Sequence, residues 1–96
     1  MNINFNKTED ALTITLEGRL DTVTAPELER FLTENYDGKS ALMLDLEKLA
    51  YISSAGLRVL LGAQKKSKGK MTLSNVAELV MEVFEMTGFA DILVIE

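Results

Sequence analysis

Two adjacent serines, Ser53 and Ser54, stand where a side-chain hydroxyl of this chain could do chemistry. They follow an apolar stretch that ends at Ile52 and precede a segment with helical periodicity, so both are candidate N-caps of a helix. A hydroxyl at a helix start lies beside unpaired N–H groups that can bind an anion, including a phosphate added to that hydroxyl. The spacing alone leaves capping and modification open, and capping is the commoner role.

Two aspartates are the other candidates for chemistry. Asp21, with Thr22, lies in a loop that the topology could bring close to Ser54, although Asp is also common as a turn residue. Asp45 has no further carboxylates at metal-ligand spacing, so we expect no metal site. A hydrolase that uses Asp21 and Asp45 would need a pocket that holds both carboxylates, which makes it the weakest alternative.

Composition excludes several classes of protein. The chain has 96 residues, which predicts one domain over residues 1–96. It has no Cys and no His, which removes disulfides, thiolate and imidazole metal sites, and Ser-His-Asp triads. A net charge of −5 argues against nucleic-acid binding. No apolar run could span a bilayer and no signal segment opens the chain, so we expect a soluble, cytoplasmic protein with no bound cofactor.

The elements that must position these residues begin with a β-hairpin. Apolar and polar residues alternate over most of residues 3–16 around a polar turn, and Gly18–Val23 reads as the loop that follows. Thr24 and Glu27 have the spacing of a capping box, and an apolar stripe at helical spacing comes after them. This part of the chain therefore predicts two strands and a first helix.

The rest of the chain alternates strands and helices. Residues 42–46 are apolar on both faces, which predicts a central strand covered from two sides. A second helix runs from the two serines to Gly69, a strand covers residues 71–73, a third helix lies between Val76 and Gly88, and Ile92–Ile95 is a last strand. Four lysines near the second helix end could complement its dipole or attract an acidic partner: Lys65, Lys66, Lys68 and Lys70. The order β-β-α-β-α-β-α-β predicts a mixed sheet flanked by helices.

Three segments together resemble the STAS domain family, and more narrowly its stand-alone bacterial anti-sigma factor antagonists. They are Gly18–Leu28, Leu44–Leu46 and Tyr51–Leu60, and they come in the family's order at the family's chain length. The resemblance covers essentially the whole chain and implies a STAS-like α/β fold.

The resemblance implies a partner-switching protein that is not an enzyme. In this family the unphosphorylated antagonist binds an anti-sigma factor that is also a serine kinase, and phosphorylation with ATP by that kinase ends the complex. A metal-dependent serine phosphatase restores the antagonist. By the motif the phosphate acceptor is Ser54, with Ser53 as second choice because it stands where many members have Asp. The motif also implies a set of partner-contact residues: Asp21, Thr22, Ser53, Ser54, Gly56, Leu57 and Arg58.

A permanent scaffold with the same fold is the alternative interpretation. STAS domains also occur as subunits of lipid-transport complexes, where they bind an ATPase subunit and no switch need operate. The residue at Ser53 favours this alternative, because it departs from the pattern of the switching proteins. Under either interpretation we expect no nucleic acid and no direct membrane contact.

Overall fold

A computed structural model describes the chain from Met1 to Glu96. The elements, in chain order, are β1 Asn2–Lys7, β2 Ala11–Leu20, α1 Ala25–Asn35, β3 Ala41–Asp45, β4 Leu49–Ile52, α2 Ser54–Lys66, β5 Met71–Ser74, α3 Glu78–Thr87 and a 3-10 helix Phe89–Asp91. The five strands form one sheet in the order β1-β2-β3-β5, and β4 pairs with β2. The predicted fold class, a mixed sheet with helices, is confirmed. No helix combines the length and the apolar character needed to cross a membrane.

The central strand β2 shows why the sheet forms. Its alternating pattern buries Leu12, Ile14 and Leu16 against the helices and turns the intervening threonines away from the core. β1 pairs with it antiparallel, as the hairpin pattern predicts, and β3 pairs with it parallel on the other side. The three helices add to the same cluster of 21 buried residues, through side chains such as Leu28 and Phe84.

β2 is longer than predicted, and this changes the layout near the serines. The sequence pattern ends the strand at Gly18, but the strand continues to Leu20 through an irregularity between Gly18 and Arg19. Gly18 has φ +109°, a backbone conformation that other residues rarely adopt, so it permits this shift of register. The extension pairs parallel with β4, a short strand at Leu49–Ile52 that the sequence pattern did not predict.

The prediction of a central strand covered from two sides is wrong. In β3, Leu42 and Leu44 are fully buried, whereas Met43 and Asp45 are half-buried and share a face with Thr13 and other polar residues. The sheet therefore has one face under the helices and one face open to solvent. Met43 gives the strand one apolar residue on its second face, but a single half-buried methionine does not require a second layer of helices over that face.

The third helix and the chain end also differ in detail. α3 begins at Glu78, so Val76 lies before it, and it ends at Gly88, which has φ +82° as a helix-terminating glycine should. The last predicted strand is reduced to an isolated parallel bridge between Leu73 and Ile95. The short strand β5 leaves room for only a few pairings at that edge of the sheet.

Candidate functional site

The candidate site lies at the edge of the sheet where β2 and β4 both end. These strands run parallel and pair Leu20 with Ile52, so the residues that follow them emerge side by side. The Ser53 N–H donates a hydrogen bond of 2.9 Å to the Leu20 carbonyl, which ties the start of α2 to the loop after β2. The expectation that the loop of Asp21 lies near the start of the second helix is confirmed.

The two serines have different environments. Ser53 is the N-cap of α2: it is half-buried, and its Oγ accepts a long hydrogen bond of 3.5 Å from the Gly56 N–H. Ser54 is the first residue of the helix and is exposed. Of the two roles that the sequence left open for both serines, the structure therefore assigns capping to Ser53. Ser53 is engaged in the cap, and the hydroxyl of Ser54 is open to an approaching protein.

The electrostatics at the start of α2 favour an anion. The first turn of the helix has no acidic residue, so the positive end of its dipole is not neutralised by its own side chains. Arg58 is exposed one turn after Ser54, and residues four apart lie next to each other on a helix surface. A charged group on Ser54 would therefore meet free backbone N–H groups and a guanidinium.

Asp21 has a structural role that the sequence analysis assigned to other residues. Its Oδ1 accepts hydrogen bonds from the Val23 N–H at 3.0 Å and the Thr24 N–H at 3.1 Å, while the Asp21 N–H donates to Thr24 Oγ1 at 2.8 Å. This reciprocal pattern is a capping box formed by Asp21 and Thr24. The predicted box of Thr24 and Glu27 is wrong. The Ala25 N–H already bonds to the Asp21 carbonyl, so the first helical turn begins at Asp21, and the Thr24 side chain makes no capping hydrogen bond to α1.

The carboxylate of Asp21 is held in its charged form. The hydrogen bond from the Thr24 backbone N–H is the largest effect on the pKa of Asp21 and lowers it. Burial is the second-largest effect and raises the pKa, while the Val23 N–H, the Thr24 hydroxyl and Arg19 each lower it further. Asp21 therefore remains ionised at neutral pH and adds a fixed negative charge to the loop that follows β2.

Two residues of the predicted partner-contact set are buried. Gly56 and Leu57 both face the core, and Leu57 is only 4% exposed. A Cβ on Gly56 would lie 2.8 Å from Leu20 Cγ and 2.9 Å from Ile52 Cγ1. Gly56 thus lets α2 pack closely on the ends of β2 and β4. The exposed members of the set are Thr22, Ser54 and Arg58.

Three exposed residues at this edge were missed by the sequence analysis. The Arg19 guanidinium stacks 4.3 Å from the centre of the Tyr51 ring, and Arg19 Nε lies 3.6 Å from Asp21 Oδ2. Val23, at the tip of the loop, is 80% exposed. Arg19 and Tyr51 are paired in register on β2 and β4, so only a correct assignment of β4 could have placed them together. We call the surface formed by Arg19, Asp21–Val23, Tyr51, Ser54 and Arg58 the Ser54 surface.

The remaining candidates do not join this surface. Asp45 pairs in register with Thr15, and its carboxylate accepts hydrogen bonds from the Glu47 N–H and the Asn75 side chain. Neither Asp45 nor Asp21 lines either of the two surface cavities of the molecule, so the geometry gives no support to a hydrolase site. In the lysine cluster, Lys70 Nζ donates to the Lys39 carbonyl at 3.0 Å at the opposite end of the sheet.

The sequence of the chain is similar to those of known proteins. The STAS domain family model matches residues 2–96 of the chain. BtrV of Bordetella bronchiseptica, named as a candidate anti-sigma factor antagonist, is 38% identical over 96 residues, which cover 96% of this chain and 83% of BtrV. The anti-sigma-B factor antagonist of Bacillus subtilis is 29% identical over 96 residues, which cover 97% of this chain and 88% of that protein.

Solved structures share the fold. The anti-sigma factor antagonist SpoIIAA in its unphosphorylated form superimposes with a TM-score of 0.79 at 20% identity, over 99% of this chain and 88% of that chain. Bacillus SpoIIAA in its phosphorylated form superimposes with a TM-score of 0.72 at 18% identity, over 99% of this chain and 91% of that chain. The STAS-like architecture predicted from the sequence is therefore confirmed.

Proposed function

Because this chain belongs to the STAS domain family, we propose that it is an anti-sigma factor antagonist that binds its anti-sigma factor through the Ser54 surface. The observation that carries the proposal is the exposed Ser54 at the first position of α2, beside the loop of Asp21. The names of its relatives support the antagonist role, since BtrV and the Bacillus subtilis protein are both named for it.

We further propose that phosphorylation of Ser54 ends the complex. The partner would be an anti-sigma factor with serine kinase activity, which transfers the phosphate from ATP to Ser54. A metal-dependent serine phosphatase would reset the switch. In this scheme the chain is a cytoplasmic regulatory protein without enzymatic activity, and no nucleic acid or membrane takes part directly.

The physics of the Ser54 surface supports such a switch. A phosphate adds roughly −1.5 to −2 charges where a docked partner would exclude water, on the surface that also carries the ionised carboxylate of Asp21. Desolvation of the added charge and repulsion of acidic partner groups both oppose docking. A loss of about 3 kcal/mol weakens binding roughly a hundredfold, which is enough to exchange partners. Ser54 is exposed and Ser53 makes the cap, so the fold can remain as it is.

The test is phosphorylation and binding with the cognate anti-sigma factor kinase. Incubation with ATP followed by mass spectrometry should place one phosphate on Ser54, and Ser54→Ala should not be labelled. Ser53→Ala is the matched control, since it removes the neighbouring hydroxyl and should still be labelled. In calorimetry, Ser54→Asp should bind the unmodified partner at least about tenfold more weakly than the wild type.

The outcomes separate this proposal from the scaffold alternative. Wild-type labelling of Ser54→Ala would contradict the assignment of the acceptor. Full partner affinity of Ser54→Asp, together with no label on the wild type, would instead favour a non-switching subunit of a transport or signalling complex.

A further inference from the structure

The outer side of α3 carries two apolar side chains, Leu79 and Met86, that do not pack against the core. Leu79 is 64% exposed and Met86 is 86% exposed, and the half-buried Val83 lies between them. The spacing i, i+4, i+7 puts the three residues in one line along the helix. The core-facing residues Val80 and Phe84 are fully buried on the neighbouring side. We call Leu79, Val83 and Met86 the α3 stripe.

The stripe is bordered by negative charge. Glu78, Glu82 and Glu85 are exposed and also follow the i, i+4, i+7 spacing, which lines them up beside the stripe. At about 100° per residue, the glutamates occupy the side of α3 that faces away from Val80. No lysine or arginine lies on α3. The helix therefore presents an apolar line with an acidic border and no compensating positive charge of its own.

The start of the α3 stripe lies at the same edge of the sheet as the Ser54 surface. α3 packs against β4, the strand whose end leads into Ser53. α3 also starts shortly after β5, which runs parallel to β3 and so ends at the same edge of the sheet as β2. The first turn of α3, with Leu79, thus begins at the edge where Ser54 is exposed. A partner of ordinary interface size that covers Ser54 has α3 within its reach.

We propose that the anti-sigma factor docks on both surfaces, and that the part of it covering α3 is an apolar patch bordered by lysine or arginine. This inference rests on the proposed function and adds the α3 stripe as a contact region with a defined chemistry. An apolar patch on the anti-sigma factor would bury the side chains of Leu79 and Met86, and basic residues around it would form ion pairs with the three glutamates. A second copy of this chain placed symmetrically on the stripe would bring glutamates against glutamates, which opposes self-association.

The experiment measures binding of the unmodified anti-sigma factor to variants of the stripe. The double variant Leu79→Ala with Met86→Ala should weaken binding at least about tenfold, because truncated anchors lose their contacts with the partner. Glu82→Lys should weaken binding most at low salt and less at high salt, because it reverses a charge opposite a basic rim. All three side chains are exposed, so circular dichroism melts should match those of the wild type.

Matched controls lie on the far side of the molecule. Phe5→Ala truncates an apolar residue that is 52% exposed on the edge strand β1, and Glu34→Lys reverses an exposed charge near the end of α1. Both should bind the anti-sigma factor like the wild type. Equal losses in the control and stripe variants would overturn the inference.

The outcomes also keep the two proposals apart. If the wild type itself does not bind the anti-sigma factor, the proposed function fails. If the wild type binds and Ser54→Asp does not, but the stripe variants bind normally, only the inference about α3 fails. Sedimentation that shows a dimer of the wild type, and a monomer of the Leu79 and Met86 double variant, would identify a second copy as the occupant and overturn it too.

Discussion

Two glycines of α2 offer a test of how the Ser54 surface is built. Gly56 and Gly62 lie in the same helix, and both can be replaced by alanine. A Cβ on Gly56 would lie 2.8 Å from Leu20 Cγ and 3.0 Å from the Leu20 carbonyl oxygen. A Cβ on Gly62 would have no atom of another element within 4 Å. The same chemical change should therefore have opposite effects at the two positions.

The magnitudes follow from two opposing terms. Replacing glycine by alanine inside a helix stabilises a protein by up to about 1 kcal/mol, and at Gly62 nothing opposes that gain. At Gly56 the added methyl group overpacks the core, which costs about 1–3 kcal/mol. The Leu20 carbonyl cannot move away freely, because it accepts the hydrogen bond from the Ser53 N–H. The upper half of that cost, about 2–3 kcal/mol, therefore applies, and after the helix gain of about 1 kcal/mol we expect Gly56→Ala to destabilise the protein by about 1–2 kcal/mol overall.

Thermal unfolding followed by circular dichroism measures both effects. For a domain of this size, a change of 1 kcal/mol shifts the Tm by about 4–8 °C, so the two variants should differ by about 10 °C or more. Gly62→Ala should rise above the wild type and Gly56→Ala should fall below it. A rise in both variants would show that Gly56 is not required for the close approach of α2 to β2, and the packing argument for this edge would be wrong.

Two further predictions concern the carboxylates of the turns. The pKa of Asp37 is lowered to about 2, and the hydrogen bond from the Ser40 backbone N–H is the largest cause. Ionised Asp37 therefore stabilises the fold above its unfolded pKa near 4. This stabilisation is lost as the pH falls from about 4 to about 2. Asp37→Ala should therefore lower the Tm at neutral pH, with a difference that shrinks on acidification; a constant difference across a pH series of melts would contradict it. Asp21→Ala should lower the Tm more than Asp21→Asn, which keeps an acceptor for the Val23 and Thr24 N–H groups. Equal Tm values for both Asp21 variants would argue against the capping role.

Residue periodicity was sufficient to predict most of the elements. The alternation in β2 and the helical stripes of α1 and α2 reflect burial on one side, which a sequence pattern reports directly. Gly88 marked the end of α3 because a helix that stops with a left-handed residue favours glycine. These are local properties of the chain, and local properties can be read without the fold.

The misses have a different cause, which is that they depend on partners distant in sequence. β4 has only four residues, and its Ala50 and Tyr51 are exposed, so no period distinguishes it from a loop. It is a strand because the bulge at Gly18 presents a free edge of β2 to it. The open face of the sheet was missed for a similar reason: the half-buried Met43 is apolar whether or not a second layer covers it.

The sequence predicted which residues follow the ends of β2 and β4, but only partly how this edge of the sheet is built. The rule that functional residues follow the carboxyl ends of parallel strands leads directly to Asp21 and Ser54. The motif does not distinguish residues that pack beneath the Ser54 surface from residues that are exposed on it. Gly56 and Leu57 pack beneath the surface, because both are buried. Arg19 and Tyr51 meet only through the pairing of β2 with β4, so no motif contains them together.

The environments of the two serines explain why the proposed switch at Ser54 need not cost stability. A helix needs one side chain to cap its first turn, and Ser53 takes that role through the Gly56 N–H. If Ser54 were the cap, a phosphate on its oxygen would have to replace that hydrogen bond, and the modification would alter the helix start. Because the cap lies one residue earlier, a change at Ser54 acts on whatever approaches the surface and leaves the packing of α2 beneath it intact. Loss of binding in Ser54→Asp should therefore occur at a Tm no lower than that of the wild type, because a carboxylate in the first turn favours the helix. Ser53→Ala should lower the Tm.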